Sequence, residues 1–222
     1  MNHSFATDAQ VVASLLATAD ADKSARKQKY RSVKVVLYSL SCDKKNKEKI
    51  HDEKNHNYSN NDITIAAFNC PELSYKDETL PSMARGLFAL VNPDPQTKKS
   101  ILVRGYDKFF NIGEIPSTTV ESIPESTVPP YEITVKENGC IIYVSAYNGV
   151  LIVTSKHAMT LPLAKNVAPV NTAIAAPPSK DLKISHAQKG NEWVDRHLLS
   201  VLKSRGELAT FLERENVTAV FE

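Results

Sequence analysis

An α+β fold dominated by antiparallel sheet is what this sequence predicts, and three observations carry that expectation. Short β-branched and aromatic runs recur along the chain, as in Ser32–Leu40 (SVKVVLYSL) and Ile63–Phe68 (ITIAAF). Asn148-Gly149 separates two such runs, Cys140–Tyr147 and Val150–Lys156, and this dipeptide supplies the positive φ angles of a two-residue type I′ turn. Helical periodicity is concentrated towards the two ends of the chain.

In chain order, Asp8–Ala19 (DAQVVASLLATA) places Val11, Val12, Leu15 and Leu16 on one stripe, so a short amphipathic helix packed on the body is expected. The basic stretch Lys23–Arg31 leads into the first strand, Ser32–Leu40. Lys44–Asn61 is polar, rich in Lys and Asn and without an apolar period, and reads as an exposed, solvated loop. Ile63–Phe68 resumes as a strand. Arg85–Leu90 and Ile101–Arg104 follow as two more, with Asn92-Pro93-Asp94-Pro95 as a turn. Ile115–Pro130, dominated by Ser, Thr and Pro, reads as an irregular connection, and Leu161–Ser179 as loop. Asn191–Lys203 gathers Trp193, Val194, His197, Leu198, Val201 and Leu202 on a broad helical face. Gly206–Glu215 makes a further helix, and Val217–Phe221 a final strand ending at Glu222. His197 is expected to pack on its apolar face, and Cys140 to be a small core residue at the start of a buried strand. The division suggested is a helical and basic lead-in over 1–31 and a main domain over 32–222, with 44–61 as its exposed polar loop.

With 222 residues, 42% of them hydrophobic, the chain can bury a sizeable core. Its net charge of +2 leaves nucleic-acid binding to a local patch rather than a global excess. Cys42, Cys70 and Cys140 make an odd count without short metal-ligand spacing, which suits reduced thiols in an intracellular protein. No apolar run reaches the roughly 18 residues of a membrane span. The amino terminus lacks a basic segment followed by an apolar secretory core, so export is not expected.

Chemistry centres on Thr134-Val135-Lys136-Glu137-Asn138-Gly139-Cys140. Lys136 follows β-formers, precedes a glycine by three positions and leads into a strand, so its amine is expected to project from a rigid sheet edge into a cleft. A lysine amine attacks phosphorus only when neutral, and its ordinary pKa of about 10.4 means that cations, metal or desolvation must assist. Attack on the α-phosphate of a nucleoside triphosphate also needs positive groups for the remaining phosphates, usually with Mg²⁺ between oxygens. Arg85, Arg104, Lys108 and Lys156 are the candidates.

Six blocks in order give this pattern a likeness: Ala84-Arg85-Gly86-Leu87-Phe88, the run from Arg104 to Glu114, Lys136-Glu137-Asn138-Gly139-Cys140, Thr154-Ser155-Lys156-His157-Ala158, Ser185-His186-Ala187 and Val217–Glu222. From roughly Ser32 to Glu222 the chain resembles the amino-terminal adenylyltransferase domain of fungal tRNA ligases. These are relatives of phage RNA ligases and, more distantly, of DNA ligases and mRNA-capping enzymes.

The resemblance implies a two-sheet covalent nucleotidyltransferase fold, unrelated to ATP-grasp, with Lys136 as the nucleophile that forms a lysyl-AMP. It implies ATP and Mg²⁺ as cofactors. Arg85 and Lys108 would contact nucleotide phosphates, Phe109 would be the aromatic beside them, and Glu222 would meet the ribose or the metal environment. Gly86, Arg104, Glu137, Asn138 and Gly139 complete the nucleotide-binding set. Asn138 stands where many relatives carry Asp, although fungal tRNA ligases also tend to carry Asn. Ser155, Lys156 and His157 would lie near nucleotide and RNA phosphates, and His186 near RNA. The implied partners are tRNA exon halves, with ends carrying a 2′-phosphate, and a spliced mRNA; the implied setting is nuclear or cytoplasmic tRNA splicing. The family continues past the position of Glu222 with strands carrying further lysine motifs, so a partial domain is expected. Two alternatives stand beside this: a non-catalytic RNA- or nucleotide-binding fragment, and a GTP-using capping-type guanylyltransferase.

Overall fold

The computed structural model describes residues 7–24, 33–40, 63–76, 80–92, 100–160 and 184–222. The expected loops at 44–61 and 161–179, most of the basic stretch 23–31 and most of the turn at 92–95 lie outside the described residues. Helix α1 (Asp8–Ser24) is followed by β1 (Lys34–Leu40), β2 (Ile63–Asn69), β3 (Leu87–Leu90) and β4 (Ile101–Arg104). After a short helix α2 (Ile123–Ser126) come β5 (Ile142–Tyr147), β6 (Val150–Ser155), β7 (Met159–Thr160), α3 (His186–Ser200), α4 (Arg205–Glu215) and β8 (Ala219–Phe221).

Two four-stranded sheets result, ordered β1-β2-β3-β4 and β7-β6-β5-β8. Every pairing is antiparallel. Their facing surfaces share one core: Ile65, Ala67, Phe88, Leu90, Leu102 and Val103 meet Tyr143, Tyr147, Ile152 and Met159. Alternation sends the intervening residues outward, yet these too are apolar. Ala66, Phe68, Leu87 and Ala89 pack under Val12, Leu15 and Ala19 of α1. Ile142, Val144, Leu151 and Val153 pack under Val194 and Leu198 of α3 and Ala209 and Leu212 of α4. Helices covering both outer faces explain why the strands read as near-continuous apolar runs. No described helix is long and apolar enough to cross a membrane.

The Asn148-Gly149 turn forms as expected, with φ of 51° and 72° and Tyr147 opposite Val150. Four expectations change. Arg85 and Gly86 precede β3 instead of opening it, because Gly86 takes a φ of +85°. The 115–130 connection contains a 3₁₀ turn at Pro116–Thr118 as well as α2. Helix α3 starts at His186, five residues earlier than its apolar stripe suggests. A capping box sets that start: Ser185 Oγ accepts from the Gln188 amide at 3.2 Å while Gln188 Oε1 accepts from the Ser185 amide at 2.8 Å. Ser185→Ala is expected to lower stability by about 1 kcal/mol in a denaturant titration. Finally, β5 begins at Ile142, two residues later than the expected start at Cys140, and the β-formers Ile133 and Val135 before it lie in no strand. They are 96% and 81% exposed and bury no face against either sheet.

Candidate functional site

Register decides which segments meet. In β5, Ile142 lies opposite Ser155 of β6 and Phe221 of β8. One end of the second sheet therefore releases three chains side by side: Gly139-Cys140 entering β5, Lys156-His157 leaving β6, and Glu222 leaving β8. A Cβ on Gly139 would stand 3.3 Å from Glu222 Cγ, so the Lys136 loop enters against the Glu222 carboxylate segment.

The first sheet closes over this end through Tyr143. Its hydroxyl donates to the Arg85 carbonyl at 2.6 Å, and Gly86 and Gly105 flank the ring so closely that a Cβ on either would clash with it. Burial is the main cause raising the Tyr143 hydroxyl above its ordinary pKa; the Arg85 charge opposes it and the Glu222 charge reinforces it. Backbone bonds from Arg85 to Tyr106 (2.9 Å), Gly105 to Gly86 (2.8 Å) and Lys108 to Met83 (2.7 Å) pin the Arg85 and Lys108 segments together.

The cations converge on Glu72, a residue that nothing in the sequence marked because it sits in an isolated 3₁₀ turn, Glu72–Lys76. Its carboxylate accepts from Arg85 Nη2 at 3.0 Å and from Lys156 Nζ at 3.1 Å, with Lys108 Nζ at 3.8 Å. Partial desolvation works against its charge, but the Lys156 hydrogen bond, followed by the fields of Arg85, Lys156 and Lys108, outweighs it and holds the carboxyl below its ordinary pKa. Arg85 Nε is buried without a hydrogen-bond partner. Lys108 Nζ donates to the Phe109 carbonyl at 2.5 Å, lies 3.7 Å from Glu114, and sits 4.4 Å from the Phe110 ring centre. Phe109 is 58% exposed and its ring is 5.8 Å from that ammonium. Phe110, not Phe109, is thus the closer aromatic partner of Lys108. His157 Nδ1 lies 2.5 Å from Asn69 Oδ1. Burial, followed by the Lys156 and Arg85 charges, depresses its pKa, so the ring is neutral at pH 7.

Other predicted residues sit elsewhere or differently. Arg104 is paired with Asp107 at 2.6 Å and lines a small pocket with Asp8 and Thr218, apart from Glu72's partners. Ser155 is buried and closes a local turn with Ala158. Lys136 does not project from a sheet edge into a cleft. It is exposed, and its ammonium bonds the Glu137 carbonyl at 3.3 Å and Asn138 Oδ1 at 3.2 Å, all within one loop. His197 is exposed rather than packed, and it stacks on Trp193 at 5.4 Å with an interplanar angle of 1°. Cys140 is exposed and not in the core. It lines an apolar cleft of about 350 Å³ with His186, Trp193, Phe221 and Glu222.

The two described thiols should therefore differ in reactivity. Burial, against a Tyr75 hydrogen bond, pushes the Cys70 thiol up to about 11, leaving little thiolate at pH 8. Iodoacetamide at that pH is expected to modify Cys140 well before Cys70, as read by peptide mass spectrometry.

A profile of the RNA ligase family matches residues 83–222, which include Arg85, Lys108, Lys136, Lys156 and Glu222. The chain is also 43% identical over 146 residues to tRNA ligase 1 of Schizosaccharomyces pombe, covering 65% of this chain and 16% of that protein. It is 35% identical over 167 residues to the tRNA ligase of Candida albicans, covering 74% of this chain and 19% of that protein. The chain thus spans less than a fifth of the length of these relatives. With the family match extending from the Arg85 segment through the Lys136 loop to Glu222, the chain belongs to the RNA ligase family, in the part it shares with fungal tRNA ligases.

Proposed function

We propose that this chain is the adenylyltransferase portion of an ATP-dependent RNA ligase that seals tRNA exon halves, working through a lysyl-AMP on Lys136. The observation that carries it is the trio Arg85, Lys108 and Lys156, held around one carboxylate beside the sheet end where the Lys136 loop and Glu222 meet. Three clustered cations suit a polyphosphate, and the family match supports ATP as its source. In the first step the neutral Lys136 Nζ attacks the α-phosphorus, the bond to pyrophosphate breaks, and the amine loses a proton. AMP then passes to an RNA 5′-phosphate, and attack by a 3′-hydroxyl releases AMP and seals the strand.

Mg²⁺ when bound would neutralise phosphate charge. Glu222 is the carboxylate at this sheet end available to its hydration sphere, and no cluster of three His, Cys, Asp or Glu forms a metal cage among the described residues. On this reading residues 32–222 form part of a domain of the covalent nucleotidyltransferase superfamily, led in by 1–31. It acts in tRNA splicing in the nucleus or cytoplasm on RNA ends carrying a 2′-phosphate, with spliced mRNA as a further substrate.

A second reading, a non-catalytic RNA- or nucleotide-binding portion, is favoured by the locally bonded, exposed Lys136. Incubation with α-labelled ATP and Mg²⁺ separates them: acid-labile protein label, competed by ATP and not by GTP, is expected. Binding without label supports the second reading, and label taken from α-labelled GTP but not from α-labelled ATP would point to a capping-type guanylyltransferase.

A further inference from the structure

We propose that Glu72 is a built-in competitor of the phosphate site: its carboxylate stands where a phosphate oxygen of the incoming polyphosphate binds, and it swings out when that anion arrives. The inference rests on the phosphate-binding role of Arg85, Lys108 and Lys156 and assigns Glu72 its regulation.

Exposure separates the mobile member of the cluster from the fixed ones. The side chains of Arg85, Lys108 and Lys156 are 29%, 8% and 25% exposed, whereas that of Glu72 is 56% exposed. The cations are anchored by independent parts of the fold. The main chain of Arg85 is held by its amide bond to the Tyr106 carbonyl and by the Tyr143 hydroxyl on its own carbonyl, and Lys108 is boxed by Phe110 and Glu114. Lys156 is fixed by its place directly after β6. Glu72 belongs to a five-residue 3₁₀ turn, and its side chain already faces solvent over more than half its surface.

The charge count also favours exchange. Glu72 faces three cations, its pair with Lys108 is stretched to 3.8 Å, and Lys108 is shared with Glu114 at 3.7 Å, so two carboxylates answer three cations. A phosphate offers several oxygens and more charge to the same donors. A carboxylate left in place would instead repel the phosphate. The resident anion thus keeps three like charges together and sets a threshold that weakly charged anions do not cross.

The test is binding of inorganic triphosphate to the 222-residue chain by calorimetry at low salt, for wild type, Glu72→Gln, Glu72→Ser and Arg85→Ala. Glu72→Gln and Glu72→Ser are expected to bind roughly tenfold more tightly, the order expected for removing one like charge at contact distance near a protein surface. Arg85→Ala is expected to bind more weakly than wild type. Thermal melts confirm that each variant is folded. Equal or weaker binding by both folded Glu72 variants, with Arg85→Ala still impaired, overturns the competitor role and leaves the phosphate site standing. Absence of triphosphate binding in wild type and Glu72 variants alike overturns both.

Discussion

Lys136→Ala is expected to take up no label from α-labelled ATP, a loss of roughly a thousandfold or more against the unaltered chain, as removal of a covalent nucleophile generally gives. Lys136→Arg should be as silent, because a guanidinium keeps its proton and cannot offer a lone pair. Both substitutions lie in an exposed loop and leave the buried core intact, so the melting temperature should stay within a degree or two of wild type. That separation of chemistry from folding is what makes the experiment informative. Persistence of the adduct in Lys136→Ala would move the nucleophile to another side chain. Label that appears only when RNA is added would instead indicate that the Lys136 loop, now bonded within itself, must be rearranged by substrate.

The largest stability effect is expected at Gly105. A Cβ there would stand 2.0 Å from the Arg85 carbonyl and 2.6 Å from the Tyr143 ring, so the first sheet would have to withdraw from the second. Gly105→Ala is expected to cost about 3 kcal/mol or more, a large share of the roughly 5–15 kcal/mol that typically separates folded from unfolded domains. Gly113→Ala is the matching control. It too has a positive φ, +75°, but nothing lies within 4 Å of its added Cβ, so only backbone strain of about 1–2 kcal/mol is expected. Urea titrations measure both. If Gly105→Ala melted like Gly113→Ala, the close passage of Arg85, Gly105 and Tyr143 would be wrong, and with it the placement of Arg85 at the site.

Several of these features were legible before any coordinates. The Asn148-Gly149 dipeptide specified its turn because its φ requirement is local, and the stripe of Val12 and Leu15 specified α1 because one helical face is a local property. The start of α3 precedes its apolar stripe, and its signal lies in the capping-box spacing of Ser185 and Gln188, whereas the stripe marks only the part of the helix that packs. The sheet edge expected for Lys136 is absent for a different reason. Ile133 and Val135 carry β propensity, but they are 96% and 81% exposed and bury no face against the sheet, so β5 begins only at Ile142. Phe109 and Phe110 could not be distinguished from composition, because which ring lies under Lys108 depends on the loop's path.

By itself the sequence determined the family, the antiparallel class and the residue types of the chemistry: a lysine three positions before a glycine, and cations in separate blocks. Those properties belong to single residues or to neighbours in the chain. Only the tertiary structure decided that Arg85, Lys108 and Lys156 share Glu72 while Arg104 pairs with Asp107, because ion-pair partners are chosen by distance across the fold and not by spacing along the chain. It likewise decided that Lys136 lies in an exposed loop, since β5 begins only at Ile142 and the segment before it buries no face.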